Sequence, residues 1–257
     1  MNIAVLVKWV PEPSGTPVLG PEHRLVRDGT DGSLDPGDEY GLERALQLVE
    51  RDGGDVTAIS MGPEVATAAV QRALAMGAAR GVMVTDDALR GADTLVTARV
   101  LAAALGSAGP FDLVVAAVES TDGYTGTLPV TLSELLGMPS VTFATSFDVR
   151  DGSTLHAERQ TAAGTEVVEC QLPALITVTT SVAEPRYPSL KGVMAAKSKS
   201  HERLSLDALA LTADDARATQ SIVSVEAAPA KSGGRVVEAG PDTAAEIADL
   251  LAEARVI

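Results

Sequence analysis

The chain has 257 residues and a formal net charge of −15, a balance that argues against nucleic acid, whose phosphates require a cationic face. Hydrophobic residues make up 46% and aromatics only 3%, the composition of an α/β protein packed with Ala, Val and Leu. From the amino terminus, residues 3–7 form a continuous apolar run, which predicts a strand buried on both faces. A Pro/Gly-rich loop follows. Leu42, Ala45, Leu46 and Val49 then recur at helical spacing. Strands are predicted at 56–60, 81–84, 113–117 and 141–143. Helices are predicted at 64–76 up to Gly77, 92–105 up to Gly106, and 128–136 up to Gly137. This alternation with short connections implies right-handed crossovers and a mostly parallel, doubly wound sheet. Beyond Phe147 the rhythm changes: a turn at Asp151-Gly152 precedes an antiparallel pair at 155–159 and 165–170, then a buried strand at 172–178.

Residues 184–199, EPRYPSLKGVMAAKSK, form a Pro-broken loop ending in a short helical run at 193–199. Only Glu184 is acidic there, against Arg186, Lys191, Lys197 and Lys199. A stiff surface loop that presents apolar Leu190 among cations suits docking, although an ordinary solvated turn fits the charges equally well. The α/β domain is expected to span 1–200. Pro229 and Gly233-Gly234 mark a linker over 201–239, and a terminal helical arm follows at 240–257. In that arm Thr243 and Glu246 have the spacing of a capping box, ahead of the stripe Ile247, Leu250, Leu251 and Ala254.

Several chemistries find no support. The single cysteine, Cys170, allows no intrachain disulfide or thiolate cluster and fits a reducing compartment. The scattered His23, His156 and His201 do not suggest a metal. No run reaches the roughly 20 apolar residues of a membrane helix, and no signal-peptide cleavage site follows the first apolar run, so a cytoplasmic protein is expected. No nucleotide fingerprint follows the first strand, and no nucleophile elbow or catalytic triad can be assembled. What remains is a crevice at the carboxyl ends of the strands. Asp35-Pro36-Gly37-Asp38, Met61-Gly62-Pro63 and the loop from Glu119 to Thr127 converge there. That loop, ESTDGYTGT, supplies hydroxyls from Ser120, Thr121, Thr125 and Thr127, and glycines that let a ligand approach the backbone. A helix then starts with Pro129 in its first turn, which points to an anion site for phosphate, though the loop contains no lysine.

These segments resemble the β (small) subunit of electron transfer flavoproteins. The likeness runs through Lys8, Asp35-Pro36, Ser60-Met61-Gly62-Pro63 and Ala73-Leu74-Ala75-Met76-Gly77-Ala78. It continues through the loop 119–126, Leu136-Gly137-Met138-Pro139, and Glu184-Pro185-Arg186-Tyr187. The resemblance implies a non-catalytic electron-carrier subunit that holds a structural AMP and pairs with an α subunit carrying most of the FAD site. It implies electron delivery from acyl-CoA and related dehydrogenases to a membrane quinone oxidoreductase. In bifurcating relatives a second FAD replaces the AMP, and that alternative stays open. Carried over by position, the pocket comprises Leu6, Asp35, Pro36, Gly37, Asp38, Met61, Ala117, Val118, Glu119, Ser120, Thr121, Asp122, Gly123, Tyr124, Thr125, Gly126, Thr127 and Leu128. The docking residues are Arg186, Tyr187, Pro188, Ser189, Leu190, Lys191, Met194 and Lys197. The acidic residue that restrains the flavin domain in relatives falls on neutral Gln160, with Glu158 the nearest substitute.

Overall fold

The computed structural model describes residues 1–12, 17–20, 23–27, 29–226, 234 and 236–257. The expected linker markers Pro229 and Gly233 lie outside them. Two compact units result, Met1–Ile222 and Val223–Ile257.

In the first unit the chain runs β1 (Asn2–Leu6), β2 (Trp9–Pro11), β3 (Gly32–Leu34), α1 (Pro36–Asp52), β4 (Asp55–Met61), α2 (Thr67–Met76), β5 (Arg80–Val84) and α3 (Thr94–Ala108). It continues through β6 (Leu113–Ala117), α4 (Leu128–Leu136), β7 (Ser140–Arg150), β8 (Thr154–Thr161), β9 (Gly164–Gln171), β10 (Ala174–Val178), α5 (Leu190–Ala196) and β11 (His201–Leu204). A nine-stranded sheet has the order β11-β5-β4-β1-β6-β10-β7-β8-β9. Neighbours from β11 to β7 are parallel, whereas β8 and β9 extend the sheet as an antiparallel hairpin on β7. The expected mostly parallel α/β sheet with an antiparallel extension is therefore present.

Alternation along each strand divides the core between two layers. Ile3 and Val5 pack with Leu42 and Leu46 of α1 and Val70 and Leu74 of α2. Ala4 and Leu6 face the other way, towards Val100 and Leu101 of α3 and Leu132 of α4. Each such aliphatic side chain contributes about 1.5–3 kcal/mol when fully buried, so the continuous apolar runs are what hold the parallel strands inside.

Several boundaries differ from the sequence expectations. Helix α3 does not stop at Gly106 but runs on to a cap at Gly109, because Leu105 and Ala108 are still buried against the sheet. At its other end Asp93 caps the helix, accepting from the Val96 N–H at 2.9 Å. The Pro/Gly-rich stretch after β1 contains the two-stranded ribbon of β2 and β3. The segment expected to be linker from 201 instead begins as β11, a parallel edge strand on β5. Its last residue Leu204, and Leu206 and Ala216 beyond it, are buried in the layer with α3. The Asp93 carboxylate also accepts from Thr219 and Gln220, which fastens this stretch to the start of α3.

The second unit carries α6 (Thr243–Glu253). Its cap is not the expected box: Asp242 is the N-cap and no side chain satisfies it. The Thr243 hydroxyl accepts from the Gly240 N–H and donates to the Glu238 carbonyl instead. Ile247 and Leu251 on its apolar stripe are exposed.

Candidate functional site

From β1 the chain winds to β4 and β5 on one side, and only then places β6 on the other. The exit of β1 leads to α1 on one face of the sheet, and the exit of β6 leads to α4 on the opposite face. The backbones diverge there and leave a crevice, the position where doubly wound sheets take their ligands. Leu6, Met61 and Ala117 end the three strands that border it.

Two buried carboxylates organise this edge. Asp35 is fully buried and caps α1: its Oδ1 accepts from the Gly37 N–H at 2.9 Å. Its Oδ2 accepts from the N–H and hydroxyl of Thr121, at 2.7 and 3.2 Å. Asp38, one turn on, accepts from the Lys8 N–H at 2.7 Å. The entry of α1 is thereby tied to the end of β1 and, through Asp35 and Thr121, to the loop beyond β6. Burial pushes the Asp38 carboxyl well above the usual range, with the neighbouring Asp35 charge adding to it. A raised folded-state value means stability that is present below the unfolded value near 4 and is lost as pH rises through the folded one. Wild-type stability should therefore carry a component that declines with pH across this window. Asp38→Asn should remove it, as measured by urea unfolding at several pH values; an identical slope in the variant would contradict the assignment.

The loop after β6 lies exposed or half-buried from Val118 to Thr127. Tyr124 adopts a left-handed backbone (φ 48°), as does Gly126 (φ 61°). Thr127 is the N-cap of α4, without a side-chain cap bond, and Pro129 lies in the first turn. Leu128 is partly buried against the core layer that contains α3 and α4. A Cβ on Gly123 would stand 3.1 Å from Ser120 Oγ, so this tight stretch favours glycine.

The lysine missing from the loop's own sequence arrives from the end of β1. Lys8 Nζ donates to Ser120 Oγ at 3.1 Å and to Asp122 Oδ1 at 2.6 Å. Arg27 donates through Nε and Nη2 to Asp122 Oδ2, at 2.8 and 2.6 Å. Burial alone would push the Asp122 carboxyl up, but Lys8 and Arg27 outweigh it and hold the group below the usual range. Neither cation was among the pocket residues expected from sequence. Lys8 stood there as part of a motif, and Arg27 carries no local signal.

The Pro-broken loop is differently built from its expectation. Arg186 is not a free docking cation. Its Nε and Nη2 donate to Glu43 at 2.7 and 3.0 Å, and its Nη1 and Nη2 to Glu50 at 2.5 and 3.0 Å. Burial raises the Glu43 carboxyl but the bonds from Arg186 bring it below its ordinary value. Lys199 is also engaged, donating to the carbonyls of Leu74 and Ala78 where α2 ends. Between these anchors Ser189 caps α5, its hydroxyl accepting from the Gly192 N–H at 3.0 Å. Gly192 is pressed so closely on the Ala75 carbonyl that a Cβ would collide with it. Pro188 is half-buried, while Tyr187, Leu190, Lys191, Val193, Met194 and Lys197 are exposed. Gln160, with Phe143, Thr142 and Ala162, lines a separate shallow groove of about 500 Å³. Cys170 is half-buried on β9 and burial pushes its thiol up, so it has no activated nucleophile's environment.

Fold and crevice together define a doubly wound α/β domain whose switch point presents a polar loop and a helix amino terminus. The family model for the electron transfer flavoprotein domain matches residues 23–209. The protein named electron transfer flavoprotein subunit beta in Mycobacterium tuberculosis (strain H37Rv) is 38% identical over 245 residues, 92% of each chain. Its namesakes in Mycobacterium leprae and Bacillus subtilis are 36% and 34% identical, covering 100% of this chain and 99% and 100% of theirs. The chain belongs to the electron transfer flavoprotein family, as a β subunit. Its role is accordingly that of one subunit in an electron-transferring flavoprotein. Among the described residues no helix is long and apolar enough to cross a membrane.

Proposed function

We propose that this subunit holds AMP in the switch-point crevice and, with an α subunit carrying FAD, forms an electron carrier without catalytic residues of its own. The observation that carries this reading is Asp35, which caps α1 and holds the loop 119–127 to it through Thr121, ahead of α4. Backbone N–H groups and the positive end of the α4 dipole suit a phosphate there. Leu6, Met61 and Ala117 border the apolar floor for an adenine, while Ser120, Thr125 and Thr127 offer hydroxyls. The bound FAD accepts electrons from acyl-CoA and related dehydrogenases and passes them to a membrane quinone oxidoreductase. Leu190, with Tyr187 and Met194, forms the dehydrogenase-docking surface, and α6 grips the α subunit through Ile247 and Leu251. The location is cytoplasmic.

Co-production with the α subunit, heat release and mass spectrometry of the nucleotides test the reading. One AMP per β chain supports it; a second flavin in place of AMP overturns it in favour of a bifurcating protein. The same co-purification with a chain ending at Ala239 should recover less α subunit, and full recovery would remove the gripping role of α6.

A further inference from the structure

An anionic phosphate entering this crevice meets an acidic neighbourhood. Asp35 lies beneath the loop, Asp122 lies within it, Glu119 stands exposed at its start, and the whole chain carries −15. Backbone dipoles at the start of α4 offset part of that repulsion, but a phosphomonoester brings close to two negative charges. Full counter-charge needs side-chain cations, and among the described residues Lys8 and Arg27 are bonded to this loop.

Their geometry fits that task. The side chain of Asp122 is 4% exposed, whereas those of Lys8 and Arg27 are 39% and 36% exposed. The carboxylate is thus turned inward and consumed by its two partners, and each cation keeps a face towards solvent. Asp122 grips Arg27 by its Nε and Nη2 edge, so the rest of the guanidinium fork points away from that contact. Lys8 spans Ser120 and Asp122, and an added Cβ at Gly123 would stand 3.9 Å from its Nζ. Both heads are therefore braced at the loop before a ligand arrives, and less ordering entropy opposes binding.

We infer that Lys8 and Arg27 are phosphate-recognising residues of the nucleotide pocket, held in register by Asp122. This rests on the crevice being the AMP site. One carboxylate aligning two cations leaves a net positive charge facing the ligand, and Asp122 acts as a positioning residue rather than a contact.

The test compares AMP with adenosine, which lacks the phosphate, on the nucleotide-stripped αβ complex by isothermal titration. Lys8→Gln and Arg27→Gln should each weaken AMP by about tenfold or more, the scale of a lost charge-assisted hydrogen bond, with adenosine unchanged. The salt dependence of AMP affinity should flatten in both variants, and Lys8→Arg should preserve most of the affinity. Unchanged AMP binding, or equal losses of AMP and adenosine, would overturn the inference and leave these residues structural. If the wild-type complex takes up neither ligand, the AMP reading itself fails. If it binds AMP and both variants match it, only the phosphate assignment fails.

Discussion

Leu190→Ala should slow reduction of the αβ complex by an acyl-CoA dehydrogenase about thirtyfold at limiting dehydrogenase, the effect of removing a hot spot of about 2 kcal/mol. Leu190 is 81% exposed at the first turn of α5, with Tyr187, Val193 and Met194 of the same segment also exposed, and an exposed apolar patch is what marks an interaction surface. Its surroundings are built to hold it still. Arg186 is tied to α1, Lys199 caps the end of α2, and Gly192 lies flat on Ala75. An anchor presented on such a base loses little entropy when it docks. The substitution touches no core contact, so its effect on folding should stay within about 0.5 kcal/mol. Stopped-flow flavin reduction at increasing dehydrogenase concentration should show a raised half-saturation and an unchanged maximal rate. Wild-type kinetics would remove the docking assignment.

Asp35→Ala should lower the unfolding free energy by about 2–3 kcal/mol, combining a lost N-cap with an orphaned N–H at Thr121. Part of the loss is recovered because Asp38 no longer faces a second carboxylate. In a chain of this size that corresponds to a fall in Tm of roughly 4–6 °C. Asp35→Asn retains an oxygen for the Gly37 N–H and should be milder. The alanine variant should also release AMP more readily, because the loop 119–127 is no longer drawn to α1 through Thr121. A Tm within a degree of wild type would mean that the Asp35 link is not structural.

Much of this was legible in the residues. Continuous apolar runs at β1, β4 and β6 marked buried parallel strands, and Asp-Pro at 35–36 marked the entry of α1, since Asp caps and Pro tolerates the first turn. Strand β11 was hidden because only Leu204 of His201–Leu204 is buried, leaving no periodicity to read. The ribbon of β2 and β3 has three residues per strand, too short for a pattern. Lys8 reaches a loop 112 positions away, and Arg186 reaches Glu43 across 143. Charge pairing at such separations belongs to the fold and not to any local stretch, so free cations and engaged ones look alike in sequence.

Helix α1 has a further consequence. Its first turn is fastened to the crevice by Asp35 and Asp38, and Glu43 and Glu50 along its length hold Arg186. From Asp35 to Glu50 the rise is about 22 Å at 1.5 Å per residue. One continuous helix therefore sets the spacing between the switch-point crevice and the base of the Leu190 loop. It works as a gauge bar: the base of the loop is held at a set distance from the crevice, however the surrounding surface varies.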